Sequence, residues 1–347
     1  MGVEESWARV QADALRDFCA RAFVRLDVPE ADAWIAADAL VAADLQGIDS
    51  HGVARLRRYV QGLQHGHMRA RPNVRVVHET PTTVLIDADA GLAQPVSYRA
   101  MERAIGKAEQ VGSGFAAVRN SNHFGIAGYY AAMALSHGCI GIAMTNATAR
   151  VLPTFGQRSM LGTNPLAVAA PAGAEPPYIL DMATSAVAMG KLEINERLQR
   201  PIPAGWAADE NGLPITDAHH ALQSVGQLAN GGMLPLGGAG ETLGGHKGYG
   251  LALMVEILCS VLSGAAYADL IKSKAPDGTA VSPNLGHFFG ALKVDAFRPL
   301  AEFEATMDDL QGRLKASPKA AGQERIYVHG EKEYEQQARR SREGIPL

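Results

Sequence analysis

The 347-residue sequence predicts an α/β protein behind a helical N-terminal segment. Three observations carry this reading. Apolar residues recur at helical spacing to about residue 66, composition turns β-branched at 74, and helix-like and strand-like stretches alternate from 98 onward. The G-x-G-x-x-G fingerprint also fails in the glycine-rich stretches, because Gly238 and Gly240 are followed by Leu243 and Gly248 and Gly250 by Leu253. A standard Rossmann domain is therefore not expected.

Taken in order, residues 4–66 predict three helices with short links, VPEADAWIAADALVAADLQG being the clearest. Residues 74–87, within VRVVHETPTTVLIDAD, predict two strands around a Thr-Pro break. A helix at 98–110, a strand at 115–118, a helix at 126–136 stopped at Gly138 and a strand at 140–145 follow. Strands at 166–170 and 178–181 precede a helix at 185–198. Residues 205–245 form a polar, glycine-rich excursion with a DENGLP turn, and 249–262 a buried helix. A strand at 325–328 and a charged helix, EKEYEQQARRSREG, close the chain. The expected division is a helical region at 1–72, an α/β region at 73–317 and a segment at 318–347 that returns to the N-terminal part.

Composition narrows the function classes. With 47% hydrophobic and 20% charged residues, the chain can bury a core of globular type. Its 32 basic and 36 acidic residues give a net charge of −4, with no basic block before the last turn, so neither nucleic acid nor an anionic membrane is an expected partner. Cys19, Cys139 and Cys259 are widely spaced and apolar in setting, which predicts reduced core thiols. MGVEESWARV lacks the basic and apolar regions of a secretory signal. Gly2 and Ser6 fit a myristoylation pattern, but Glu4 and Glu5 open the first helix and make chance the better explanation. The apolar run at 251–266 is interrupted by Glu256 and falls short of the ~20 residues of a membrane span. A cytoplasmic location is expected.

Several chemistries lack their motifs. Leu192 follows Gly190-Lys191 and His246 separates Gly245 from Lys247, so there is no Walker A loop; H-E-x-x-H, C-x-x-C and G-x-S-x-G are absent too. His65 with His67, and His219 with His220, lack clustered carboxylates and are expected to be solvated loop histidines, so no metal site is predicted.

Two strings carry chemistry. In Asp49-Ser50-His51-Gly52-Val53-Ala54-Arg55, Ser50 is placed as an N-cap of a helix with His51 and Arg55 one turn apart. The positive helix start would then favour a neutral imidazole. For oxidising a hydroxy acid, arginine grips the carboxylate while histidine takes the hydroxyl proton as hydride leaves. The plainer alternative is a helix-start histidine and a surface arginine. Arg119-Asn120-Ser121-Asn122-His123-Phe124-Gly125-Ile126-Ala127-Gly128 lies between strand and helix, where small residues and free N–H groups could hold a pyrophosphate. Equally, Asn and Ser could cap the helix there and His123 bond to backbone. Leu161-Gly162-Thr163-Asn164-Pro165 and Asp181-Met182-Ala183-Thr184-Ser185 flank strand ends, a usual ligand location, though turn chemistry also explains them. Lys247, beside the helix at 249, and Lys191 could serve an anion, or could simply be solvated lysines.

Together, DSHGVARLRRY, NSNHFGIAGYYAAMA, GTNPLAVAAPA, ILDMATSAVAMGKLE, LGGHKGYGLALMVEILCSVLSGA and the terminal GIPL resemble the malate/L-lactate dehydrogenase family that is unrelated to the Rossmann lactate and malate dehydrogenases. That family also includes ureidoglycolate, sulfolactate and diketogulonate dehydrogenases and piperideine-2-carboxylate reductases. The resemblance spans nearly the whole chain. It implies a cytoplasmic homodimer binding NAD or NADP on a non-Rossmann α/β fold and acting on a small 2-hydroxy or 2-oxo acid. By analogy His51 exchanges the proton, Arg55 holds the substrate carboxylate and Thr163 lies near the substrate. His123 is the rival acid/base. The resemblance also implies cofactor contacts from His123, Phe124, Gly125, Ile126 and Ala127, from Asp181, Met182 and Ala183, from His246 and Lys247, and from Gly330 and Glu331.

The chain departs from the family at two places. The imine-reducing relatives resemble a Ser-His-Asp relay whose Asp lies where this chain has Lys191, so Lys191 joins Ser50, His51 and His123 among the catalytic candidates and hydroxy-acid chemistry gains over imine reduction. His329-Gly330-Glu331 stands where the family often has Pro-Gly-Glu.

Overall fold

A seven-stranded mixed sheet organises the computed structural model, which describes residues 8–225 and 230–347. The expected helix start at Glu4 and the pattern at Gly2 and Ser6 lie outside these residues. The chain opens with β1 (Arg9–Val10), α1 (Ala12–Val24), α2 (Glu30–Leu45), two 3-10 turns at Asp49–His51 and Val53–Arg55, and α3 (Leu56–Gln64). Then come β2 (Arg75–Glu79), β3 (Thr83–Asp87), α4 (Ala93–Val111), β4 (Ser113–Ser121), α5 (Ala127–Ala132), β5 (Cys139–Thr145), β6 (Leu166–Ala170) and β7 (Tyr178–Met182). An excursion holds α6 (Met189–Arg197), β8 (Ala207–Ala208), β9 (Pro214–Ile215), α7 (Ala218–Ser224) and β10 (Gly232–Met233). The chain ends with α8 (Gly245–Glu256), β11 (Leu285–Lys293), α9 (Leu300–Ala316), α10 (Glu331–Glu343) and β12 (Ile345–Pro346).

The sheet order is β2-β3-β4-β11-β5-β6-β7. Only β3 and β4 run parallel, joined by α4; every other neighbouring pair is antiparallel. Helix α4 buries Ala93, Val96, Ala100, Met101, Ala104, Ile105 and Ala108 at three- and four-residue spacing. That stripe of small side chains brings the helix close to β4. A Cβ on Gly114 would stand 2.1 Å from the Ala104 carbonyl oxygen, so glycine is required there. Around this contact Ile86, Val118, Phe124, Tyr130 and Phe289 complete the main core.

Several expectations need correction. The helix expected at 126–136 is one short helix, α5, followed by a 3-10 turn and the left-handed Gly138. The stretch at 185–198 becomes helical only at Met189, because Ser185 pairs with Pro235 and bonds the Val187 carbonyl instead. The glycine-rich excursion has its own three-stranded sheet and a core that includes Val187, Leu192, Val225 and Met233. His219 and His220 sit on α7 rather than in a loop, paired with Glu196 and Glu210. The helix expected to be buried at 249–262 starts earlier, at Gly245, and passes into a π turn at Ile257–Val261. Its Leu253, Met254, Ile257, Val261 and Leu262 are exposed. Residues 325–328 form no strand; next to them the His329 carbonyl accepts from the Ile179 N–H at the edge of β7. At the far end of the chain β12 pairs antiparallel with β1. Among the described residues, no helix is long and apolar enough to cross a membrane.

Candidate functional site

Two loops bring two imidazoles together. His51 ends the first 3-10 turn and His123 lies between β4 and α5; their rings stack with centroids 5.7 Å apart and planes 22° apart. The expected helix with Ser50 as its N-cap is not formed. Gly52, at φ −81° and ψ −146° and so outside the helical region, separates the two 3-10 turns, and the Ser50 side chain caps nothing. Instead Ser50 Oγ lies 2.9 Å from His51 Nδ1. Arg55 still turns back to the same place, its Nε donating to the Ser50 carbonyl at 2.6 Å. The break has a local cause. Asp44, buried on α2, accepts the Val53 N–H at 2.8 Å, and its Oδ1 stands 1.8 Å from where a Cβ on residue 52 would sit.

With no continuous helix at His51, a macrodipole does not set its protonation. Burial, then the positive charges of Arg55 and Arg58, pull the imidazole down to about 4. Burial with Arg58, His51, Arg55 and His287 holds His123 well below the ordinary histidine range. Both rings are neutral at pH 7. Tyr59, fully buried on α3, places its hydroxyl 2.7 Å from His123 Nδ1. Burial outweighs Arg58 and Arg55 and pushes its phenol up to about 12, so it stays protonated.

Interior contacts fix the His123 loop. Phe124 stacks on His287 at 4.7 Å and 13°. His287 spans the Thr145 and Ser121 hydroxyls at 2.7 and 2.8 Å, and burial drops it to about 3. Asn122 donates to the Ala90 and Gly91 carbonyls. Gly125 takes φ +92°, and Ile126 and Ala127 are buried.

Arg58, three residues past Arg55, is exposed yet partly desolvated by the protein around it. Burial, Arg55 and Arg150 all lower its pKa, against an opposing effect of Tyr59. Among the described residues, no carboxylate pairs with Arg55, Arg58 or Arg150, so the imidazole pair lies in an uncompensated positive field. Tyr59, Arg58 and His287 were missed in the sequence. Arg58 had a signal in its i,i+3 spacing from Arg55, whereas Tyr59 and His287 find their partners only across the fold.

The helix start at 127–128 is not open to a pyrophosphate. The Gly128 N–H donates to Asp181 Oδ2 at 2.7 Å, so a carboxylate from β7 caps it, where the sequence offered a nearby Asn or Ser. Burial is the main reason the Asp181 carboxyl rises to about 6, with Glu333 adding to it. Asp181 and Gly128 line a cavity of about 260 Å³ shared with Ile48, His329, Gly330, Glu333 and Tyr334. Ile48 immediately precedes the first 3-10 turn, so the cavity adjoins the His51 loop.

The other predicted positions are scattered. The Glu331 carboxylate does not line the cavity; it is buried between Lys315, at 2.6 Å, and Arg325, at 3.4 Å. Met182 ends β7 and packs beside Met144, and Ala183 follows it. The Thr163 carbonyl accepts from the Thr184 N–H at 2.9 Å, and the neighbouring Asn164 donates to Glu256 and the Ala252 carbonyl. Lys191 on α6, and His246 and Lys247 in the first turn of α8, are exposed. No hydrogen bond or ion pair joins these three to the imidazole pair among the described residues.

Comparison with known proteins bears on this site. A family model described as malate/L-lactate dehydrogenase matches residues 10–347. A malate dehydrogenase of Pyrococcus abyssi is 46% identical over 99% of this chain and 92% of its own length. An L-sulfolactate dehydrogenase of Methanocaldococcus jannaschii is 41% identical over 88% of this chain and 84% of its own. The solved malate dehydrogenase of Entamoeba histolytica superposes with a TM-score of 0.93 at 37% identity, covering 99% of this chain and 94% of that one.

Proposed function

The chain belongs to the malate/L-lactate dehydrogenase family and is an oxidoreductase, and from that premise we propose that it interconverts L-malate and oxaloacetate, with L-lactate a poorer substrate. The observation that carries this reading is the stacked, neutral His51–His123 pair beside Arg55 and Arg58, neither of which has a carboxylate partner among the described residues. A dicarboxylate brings two negative ends to such a field, and lactate brings one.

A nicotinamide, bound as NAD or NADP, supplies the hydride acceptor or donor. Arg55 holds the substrate C1 carboxylate with its two terminal nitrogens, since its Nε is engaged by Ser50. His51 takes the C2 hydroxyl proton during oxidation and returns it during reduction. The Ser50 hydroxyl can donate to Nδ1 or accept from it, so it follows either tautomer and leaves Nε2 as base or acid. Tyr59 does the same for His123, which packs against His51 as the second acid/base group. The positive field from Arg55 and Arg58 opposes protonation of His51 and stabilises an alkoxide-like transition state.

The cavity between β7 and α10 suits part of the cofactor. His329 and Tyr334 bring aromatic rings to the cavity for a base, while the Tyr327 ring is already covered by Arg325 and Lys332, and Asp181 and Glu333 supply acceptors for ribose hydroxyls. Thr163, Met182, Ala183, His246, Lys247 and Gly330 remain proposed contacts by family resemblance. Lys191, standing where the imine-reducing relatives have an Asp, favours hydroxy-acid chemistry. The exposed apolar face of Leu253, Ile257, Val261 and Leu262 supports a homodimer, and the three free, buried cysteines are consistent with a reducing cytoplasm.

The test is a panel of oxaloacetate, pyruvate and piperideine-2-carboxylate with NADH and NADPH, alongside a fluorescence titration of each cofactor. Oxaloacetate is expected to give the highest kcat/KM. A higher value for the cyclic imine, or cofactor binding without turnover of any of the three, would overturn the reading.

A further inference from the structure

The loop that carries Ser50 and His51 is held at both ends by groups outside it. At its far end the Asp44 carboxylate accepts the Val53 N–H at 2.8 Å. At its near end Arg340, on α10, donates through Nη1 to the Asp44 carbonyl and to Asp49 Oδ1, each at 2.5 Å, and through Nη2 to Asp49 Oδ2 at 3.3 Å. Arg340 is buried, while the Asp49 side chain is 58% exposed. A bidentate guanidinium–carboxylate pair fixes orientation as well as distance. Here it fixes the residue that precedes Ser50. The helix bearing Arg340 starts directly after Gly330, and its Glu333 and Gln337 line the cavity beside Asp181. Gly47, next to Ile48, packs against Gln336 of the same helix, with 3.2 Å between a built Cβ and its Cγ.

We propose that Arg340 is a positioning residue for His51, acting through the Asp49 carboxylate and the Asp44 carbonyl. It touches no reacting atom. The C-terminal helix thereby sets where the imidazole stands against the substrate, since a short 3-10 turn broken at Gly52 has too few internal hydrogen bonds to hold one geometry alone. This inference rests on the acid/base role proposed for His51.

The experiment compares Asp49→Asn, Arg340→Lys, Arg340→Gln and the Asp49→Asn/Arg340→Gln double variant with His51→Ala. Each is read by kcat, malate KM, NADH affinity from fluorescence titration, and thermal unfolding. Asp49→Asn removes charge from an exposed side chain and keeps its shape, so it tests the idea even if the Arg340 variants fold poorly. Expected are a kcat about tenfold lower in Asp49→Asn with NADH affinity within twofold of wild type, an intermediate kcat in Arg340→Lys, and a double variant no slower than Arg340→Gln. An Asp49→Asn kcat within twofold of wild type would overturn the proposal, as would losses that multiply in the double variant or a kcat that falls only in step with the folded fraction. If His51→Ala itself keeps its rate, the acid/base reading fails; if only His51→Ala is slow, that reading stands and the positioning role fails.

Discussion

The imidazole pair and the β7–α10 cavity, which adjoins the His51 loop through Ile48, respond to burial in opposite directions. At His51 and His123, burial and nearby arginines remove protons, leaving neutral bases in a positive field. At Asp181, burial adds a proton's tenure, with Glu333 reinforcing it, so the cavity is carboxylate-lined. The same desolvation penalises whichever form is charged. On the proposed function, a small anionic acid is assigned to the first region and a hydroxyl-bearing nucleoside part of the cofactor to the second.

The most severe way to break this contrast is His51→Ala, expected to lower kcat by about two to four orders of magnitude, as for a lost general base. A steady-state assay returning a near-wild-type rate would pass the acid/base role to His123. Next comes the carboxylate side. The Asp181 carboxyl titrates near 6 when folded and near 3.8 when unfolded, so its contribution to stability is complete below about pH 3.8 and is lost as pH rises through 6. Relative to Asp181→Asn, wild type should lose roughly 2 kcal/mol of stability between pH 4 and pH 7. Urea unfolding at both pH values measures this, and parallel pH dependence in the two proteins would contradict it.

Smaller effects sharpen the cationic side. Arg55→Lys should raise the substrate KM by about tenfold with little change in cofactor affinity, because an ammonium cannot reproduce the fork. Arg58→Gln should cut kcat/KM for malate about fivefold more than for lactate, since only malate has a second carboxylate to lose. Equal losses on both substrates would remove Arg58 from selectivity.

Much of this was legible before any coordinates. The paired strands at 74–87, the α4 stripe and β6 follow from local periodicity, and DSHG and NSNHFG named the two histidines that stack. What escaped depends on distant partners. β11 lies at the centre of the sheet, pairing His287 with both Val118 and Thr145, but its own apolar run does not reveal that position. The expected helix at 49–55 failed because Asp44, from α2, takes the Val53 N–H and fills the space beside Gly52. The expected anion site at 127–128 failed because Asp181 arrives from β7.

The linear order of residues determined the α/β class, the non-Rossmann character and which residue types are candidates for chemistry, because backbone propensity and side-chain type are local properties. Only the tertiary structure decided which imidazole meets which ring, which amides are already capped and which charges stand unpaired. Hydrogen bonds, desolvation and Coulomb fields act through distance in space, and folding brings Tyr59 to His123 and Arg340 to Asp49 across sequence separations that no local pattern encodes.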